Sequence, residues 1–118
     1  MAVQESYWRQ GADINAQIGL LQVKPAVHAG TEEPARLSTA FNVDYALAWR
    51  RACYEGSFAW LNHVSAGYAA GDEWGCVGAW FSGRWYDGEP DRDHSGSRWY
   101  IQAVQRHLDR RTWERADF

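Results

Sequence analysis

Residues 2–25 read AVQESYWRQGADINAQIGLLQVKP. A carboxylate, Glu5, stands close to the start in a stretch otherwise rich in apolar and amide side chains. Ser6 and the aromatics Tyr7 and Trp8 follow, and then the run Gly19-Leu20-Leu21-Gln22. The early residues suit a helix over 2–10, with Val3, Tyr7 and Trp8 toward one face. Gly11 and Asp13-Ile14-Asn15 break it. Residues 16–23 are short and apolar, and Pro25 limits any extension.

Outward from this segment, helical spacing dominates. Val43, Ala46, Leu47 and Arg50 recur at helical intervals, with Asn42 placed to cap a helix that runs to Glu55 and stops at Gly56. Residues 57–65 suit a short helix, and Gly67 to Asp72 a turn. A further helix covers Trp74 to Phe81 and ends at Gly83. Trp99 to Arg111 is amphipathic, with Ile101, Val104 and Leu108 on one face. Residues 28–40 read as loop, and the polar stretch 87–98 as exposed. No strand pattern and no internal repeat stands out. The expectation is one mainly α-helical domain over residues 1–118.

Composition fits a globular chain: 46% hydrophobic and 23% charged residues in 118. A formal charge of −3 gives no basic field for nucleic acid. No apolar run is long enough to span a membrane, and the first residues carry no signal-peptide pattern. Two cysteines cannot build a zinc site, and the four histidines show no ligand spacing. No metal or other cofactor is implied. Cys53 and Cys76 are either a disulfide or two buried thiols on this reading. Tryptophan is the outlier, with eight residues, each suited to a core or to stacking on a sugar.

The order of motifs resembles the soluble lytic transglycosylase family of lysozyme-like proteins. That family carries Glu-Ser near an aromatic, then Gly-Leu-Met-Gln, then Ala-Tyr-Asn-Ala-Gly, then Tyr-Val. Here the corresponding residues are Glu5-Ser6, Gly19-Leu20-Leu21-Gln22, Ala79-Trp80-Phe81-Ser82-Gly83 and the helix from Tyr100 to Val104. Asn42-Val43 with Ala46 and Trp49 resembles the family's Asn-Ile, Gly, Tyr helix. The first spacing is one residue shorter than the commonest form. The family's Tyr and Asn fall on Trp80 and Phe81, so an amide that could bind a sugar is replaced by a ring.

The resemblance implies a lysozyme-like helical domain with a substrate cleft, acting on the glycan strands of peptidoglycan. Glu5 would be the single catalytic acid and base. Ser6 and Gln22 would orient the carboxylate and substrate, and Gly19 would admit close backbone approach. Trp80 and Phe81 would wall the cleft, and Tyr100 would hydrogen-bond Glu5. The chemistry needs a carboxyl that holds a proton near neutral pH for the leaving oxygen. No second acid is fixed by motif, since Asp13, Asp44 and Asp72 suit caps or turns. The resemblance also implies an extracellular or cell-wall location and, with it, a Cys53–Cys76 disulfide. Two other readings stand beside this one: a muramidase that uses water, and a non-catalytic glycan-binding module. A helix beginning at Met1 leaves Glu5 in a first turn, where the positive dipole end lowers a carboxyl pKa. The corresponding expectation is that the chain lacks the start of its first helix.

Overall fold

The computed structural model describes residues 1–86 and 96–118. The protein is mainly α-helical, as expected. Its residues form two compact units, Met1–Ala48 and Trp49–Phe118.

In the first unit, helix α1 spans Ala2–Ser6 and stops at Tyr7, not at Gln10. Tyr7 and Trp8 both take left-handed backbone, with φ of 52° and 61°, so no helical hydrogen-bond ladder can continue through them. Val3 is buried, but Tyr7 and Trp8 are 61% and 49% exposed, so the expected common face does not form. A small hairpin follows, against the expectation of no strands. Strands β1 (Asp13–Ile14) and β2 (Gln17–Ile18) pair antiparallel. Asn15 and Ala16 between them both have positive φ, the primed turn geometry that matches strand twist. Strands this short show no alternation to read.

Helix α2 (Glu32–Leu37) occupies part of the stretch read as loop. Pro34 does not prevent it, because the first-turn N–H groups of a helix have no intrahelical partner to lose. Glu32 and Glu33 also favour that end of the helix dipole. Helix α3 (Thr39–Tyr54) begins earlier than expected. Its cap is Ser38, whose Oγ accepts from Phe41 N–H at 3.1 Å. Asn42 therefore lies inside the first turn, and its fully buried side chain is free for another task.

In the second unit, the short helix expected over 57–65 is a 3₁₀ helix at Ala59–His63. Helix α4 (Glu73–Ser82) starts on Asp72, which accepts from Gly75 N–H at 2.8 Å, and ends at left-handed Gly83. Helix α5 (Ser97–Asp109) packs along α4. It begins two positions before Trp99 because Ser97 is buried, with its hydroxyl 2.9 Å from the Arg84 carbonyl and 2.5 Å from Ser82 Oγ. The expected exposed stretch 87–98 is thus corrected at Gly96 and Ser97, both buried, while residues 87–95 lie outside the described part. Ile101 and Val104 are buried as expected of the apolar face. Leu108 is 53% exposed, because the face runs past the surface it packs on.

The core of this unit forms around a disulfide. Cys53 on α3 and Cys76 on α4 are bonded, with Cα atoms 5.8 Å apart. Buried Leu61, Ala79 and Trp85 surround the bond, and Trp49, Phe58, Tyr68 and Tyr86 pack against that group. Gly75 is needed here. A Cβ at that position would lie 2.1 Å from the Trp85 ring, so only a bare backbone admits the indole. Tyr68 donates to the Cys53 carbonyl at 2.5 Å and accepts from Phe58 N–H at 3.2 Å, which ties the loop to the bridge. Tyr86 reaches back to Asp72 Oδ2 at 2.7 Å.

The bridge closes a loop with a sequence separation of 23, worth about 3 kcal/mol in the chain-entropy account. The paired variant Cys53→Ala/Cys76→Ala should lower the unfolding free energy in urea by about that amount or more. An unchanged denaturation midpoint would contradict the role given to the bond.

Candidate functional site

The site begins with the turn Gly19–Gln22. Ile18 and Val23 bracket it, with Ile18 N–H donating to the Val23 carbonyl at 2.8 Å and Val23 N–H returning to Ile18 at 2.9 Å. Gly19 N–H donates to the Ala12 carbonyl at 2.7 Å. Gly19 has φ 78°, a conformation that favours glycine. Gln22 also takes positive φ, at 52°. Its own side chain compensates: Nε2 donates to the Gly19 carbonyl at 2.8 Å, with the Ala12 carbonyl more distant at 3.5 Å.

Asn42 fastens this turn from the side. Its Oδ1 accepts from Leu21 N–H at 2.8 Å, and its Nδ2 donates to the Ile18 carbonyl at 2.7 Å. Both ends of one buried amide are therefore paired with backbone groups of the turn. The same amide explains the glycine. A Cβ on residue 19 would lie 2.5 Å from Asn42 Nδ2. Sequence reading placed Asn42 at a helix end and missed this contact. The signal was present as an Asn one turn inside an otherwise apolar helix face.

Ser6 joins α1 to the turn. Its buried Oγ donates to the Leu20 carbonyl at 2.8 Å, with the Ala2 carbonyl at 3.3 Å. Glu5 is the adjacent residue and is half-buried. Four of the expected site residues, Glu5, Ser6, Gly19 and Gln22, are thus gathered in the first unit. Their roles differ in kind. Ser6 and Gln22 direct their side chains to backbone carbonyls of the turn, and Gly19 makes room for Asn42. Glu5 carries the only carboxylate of the four.

The other three lie in the second unit. Phe81 stacks on Tyr100 with ring centroids 4.7 Å apart and planes 6° from parallel. Tyr100 is 1% exposed, whereas Phe81 is 42% exposed, so the Phe81 ring is the outer member of the pair. Trp99 adds a tilted contact to Phe81 at 5.9 Å. Trp80, next to Phe81 on α4, meets Trp49 edge-on at 5.4 Å. Trp49 in turn contacts Phe58 at 4.7 Å. Trp80 therefore belongs in part to the packing around the disulfide, and Phe81 is the more open platform of the two.

Two of the three candidate second acids are engaged in structural contacts. Asp13 pairs with Arg36 at 2.6 Å, Asp72 caps α4, and Asp44 is exposed on α3. His28 meets the Tyr45 hydroxyl at 3.1 Å through Nδ1, and burial pushes its pKa below the ordinary imidazole value. Among the described residues, no group of three or more His, Cys, Asp or Glu could hold a metal ion. No described helix is long and apolar enough to cross a membrane.

No protein-family model matches the chain, and no curated protein or solved structure matches it.

The coupling of Gly19 to Asn42 can be measured. Asn42→Ala removes the buried acceptor of Leu21 N–H and one of the two donors to the Ile18 carbonyl, and should cost about 1–3 kcal/mol in unfolding free energy. Gly19→Ala should cost roughly 1–3 kcal/mol from its φ alone, with a further cost from the approach to Asn42. In the double variant that approach is gone, so the two effects should sum to more than the measured total by at least about 0.5 kcal/mol. Strict additivity would show that Asn42 does not occupy the space over Gly19.

Proposed function

We propose that this protein is a lytic transglycosylase acting on peptidoglycan, with Glu5 as its single acid and base. The observation that carries the reading is the hydrogen bond from Ser6 Oγ to the Leu20 carbonyl. It joins the Glu-Ser pair to the Gly-Leu-Leu-Gln turn, the two motifs on which the family resemblance rests most specifically. A lysozyme-like fold and a cell-wall location belong to the same proposal.

The reaction needs one carboxyl group used twice. Protonated Glu5 gives its proton to the oxygen linking N-acetylmuramic acid to N-acetylglucosamine, and the bond to the muramoyl C1 breaks. The Glu5 carboxylate then removes the proton from the muramoyl 6-hydroxyl, and that oxygen closes on C1. The product is a 1,6-anhydro sugar, the acid is regenerated, and no water is consumed. A carboxylate on a backbone anchored to the Asn42-fastened turn has the positional definition such a step requires. The exposed Phe81 ring would offer a flat apolar face to a sugar.

A second reading, a glycan-binding module without activity, is favoured by one feature. Phe81 stands where the family has an asparagine, so an amide able to hydrogen-bond a sugar is absent from that position. A muramidase differs from both by adding water to the broken bond.

Replacement of Glu5 by Gln keeps side-chain size and removes the transferable proton. Glu5→Gln should reduce release of soluble fragments from purified peptidoglycan by at least about 10²-fold, while melting temperature and circular dichroism stay close to the parent. Activity comparable to the parent would remove Glu5 from the chemistry. A parent protein that binds the polymer and never cleaves it would favour the binding module.

A further inference from the structure

The left-handed residues of this chain are not all of one kind. Asn15 and Ala16 form the hairpin turn between β1 and β2, which demands positive φ at both positions. Gln22 is held by its own side chain on the Gly19 carbonyl. Arg111 follows the end of α5. Tyr7 and Trp8 differ from these. A helix end accounts for one left-handed residue, and glycine or asparagine is favoured there. This chain instead places two consecutive bulky aromatics in that conformation, with φ of 52° and 61°.

The surrounding backbone is fixed. Tyr7 N–H donates to the Val3 carbonyl at 3.1 Å, Arg9 N–H to the Ser6 carbonyl at 3.1 Å, and Ala12 N–H to the Arg9 carbonyl at 3.2 Å. Arg9 Nε adds a bond to the Ser6 carbonyl at 3.3 Å. The strained pair is therefore held in place from both sides. Its side chains are not used to fill a core, since Tyr7 is 61% and Trp8 49% exposed. Strain of this kind persists where the surroundings over-determine it, and such residues gather at ligand-binding positions.

We infer that Tyr7 and Trp8 form a stacking platform for an N-acetylhexosamine ring of a glycan strand, beside Glu5. This rests on the glycan-directed reading of the site. Tyrosine and tryptophan each combine a flat apolar face with a polar donor, which suits the C–H face and hydroxyl rim of a sugar. Trp8 lies three residues beyond Glu5, so their backbones are at most about 11 Å apart even if fully extended. The fixed backbone removes the main-chain part of the ordering cost on binding.

Trp8→Gly separates this role from a structural one, because glycine relieves the left-handed strain while deleting the ring. The test uses the full chain carrying Glu5→Gln, to prevent turnover, and a soluble β-1,4-linked tetramer of N-acetylglucosamine as probe in titration calorimetry. Trp8→Gly should weaken binding by about tenfold or more, the scale of a lost aromatic contact. Its melting temperature should equal or exceed that of the Glu5→Gln parent, and Trp8→Phe should restore most of the binding. Unchanged binding in Trp8→Gly overturns the inference. So does a loss of binding that only accompanies a fall in melting temperature, and so does a parent that binds no saccharide. Peptidoglycan cleavage by the unmutated chain is assayed in parallel. Cleavage with Trp8-independent binding defeats the platform alone, whereas Trp8-dependent binding without cleavage defeats the transglycosylase reading alone.

Discussion

One buried amide organises the first unit of this protein. Asn42 uses its oxygen on Leu21 N–H and its nitrogen on the Ile18 carbonyl, so the loop between them has a fixed shape. Burying a polar side chain this completely is unfavourable unless every group finds a partner, and here the partners are backbone atoms of a tight turn. Residue 19 must lack a side chain to leave room for this amide. The same turn holds Gln22 in left-handed backbone and presents the Leu20 carbonyl to Ser6. Glu5 is then attached to a defined surface although its own helix has only one turn and a half of backbone.

The second unit reaches definition by a different route. A covalent bridge between α3 and α4 sits among aromatic rings, and the rings are accommodated by small residues. Gly75 admits Trp85, and a Cβ at Gly78 would come within 2.9 Å of Ile101 on α5. Hydroxyl groups complete the arrangement where rings cannot. Tyr68 holds the Cys53 carbonyl, Tyr86 holds Asp72, and Ser97 links the start of α5 to Ser82 and Arg84. A small domain has limited apolar surface to bury, and a bridge of this kind reduces what the core must supply.

Sequence reading recovered the elements whose periodicity or caps are explicit. The α4 helix was visible from its apolar run, its preceding turn and Gly83. The buried face of α5 was visible through Ile101 and Val104. Elements governed by tertiary contacts were not visible. The α1 helix ends early because Tyr7 and Trp8 adopt a conformation that propensity disfavours, and no local pattern announces that choice. The β1–β2 hairpin is too short to alternate. Pro34 suggested a loop although it occupies a helical first turn, where it is tolerated. Within the candidate site, Glu5, Ser6, Gly19 and Gln22 were legible as a motif. That Ser6 and Gln22 would bond backbone carbonyls of the turn, and that Gly19 would make room for an amide, was not, since the turn is fastened by Asn42, distant in sequence.

The proposed chemistry centres on the Glu5 carboxyl, on a backbone that Ser6 joins to the Asn42-fastened turn. The central claim is that this carboxyl acts as acid and then as base on one saccharide, with the substrate's own hydroxyl as nucleophile. Mass spectrometry of the soluble fragments released from purified peptidoglycan tests that most directly. The account predicts muramoyl ends lighter by one water than the reducing sugar, with no label incorporated when digestion is run in ¹⁸O-water. Reducing muramoyl ends carrying the heavy oxygen would contradict it, since water would then be the nucleophile.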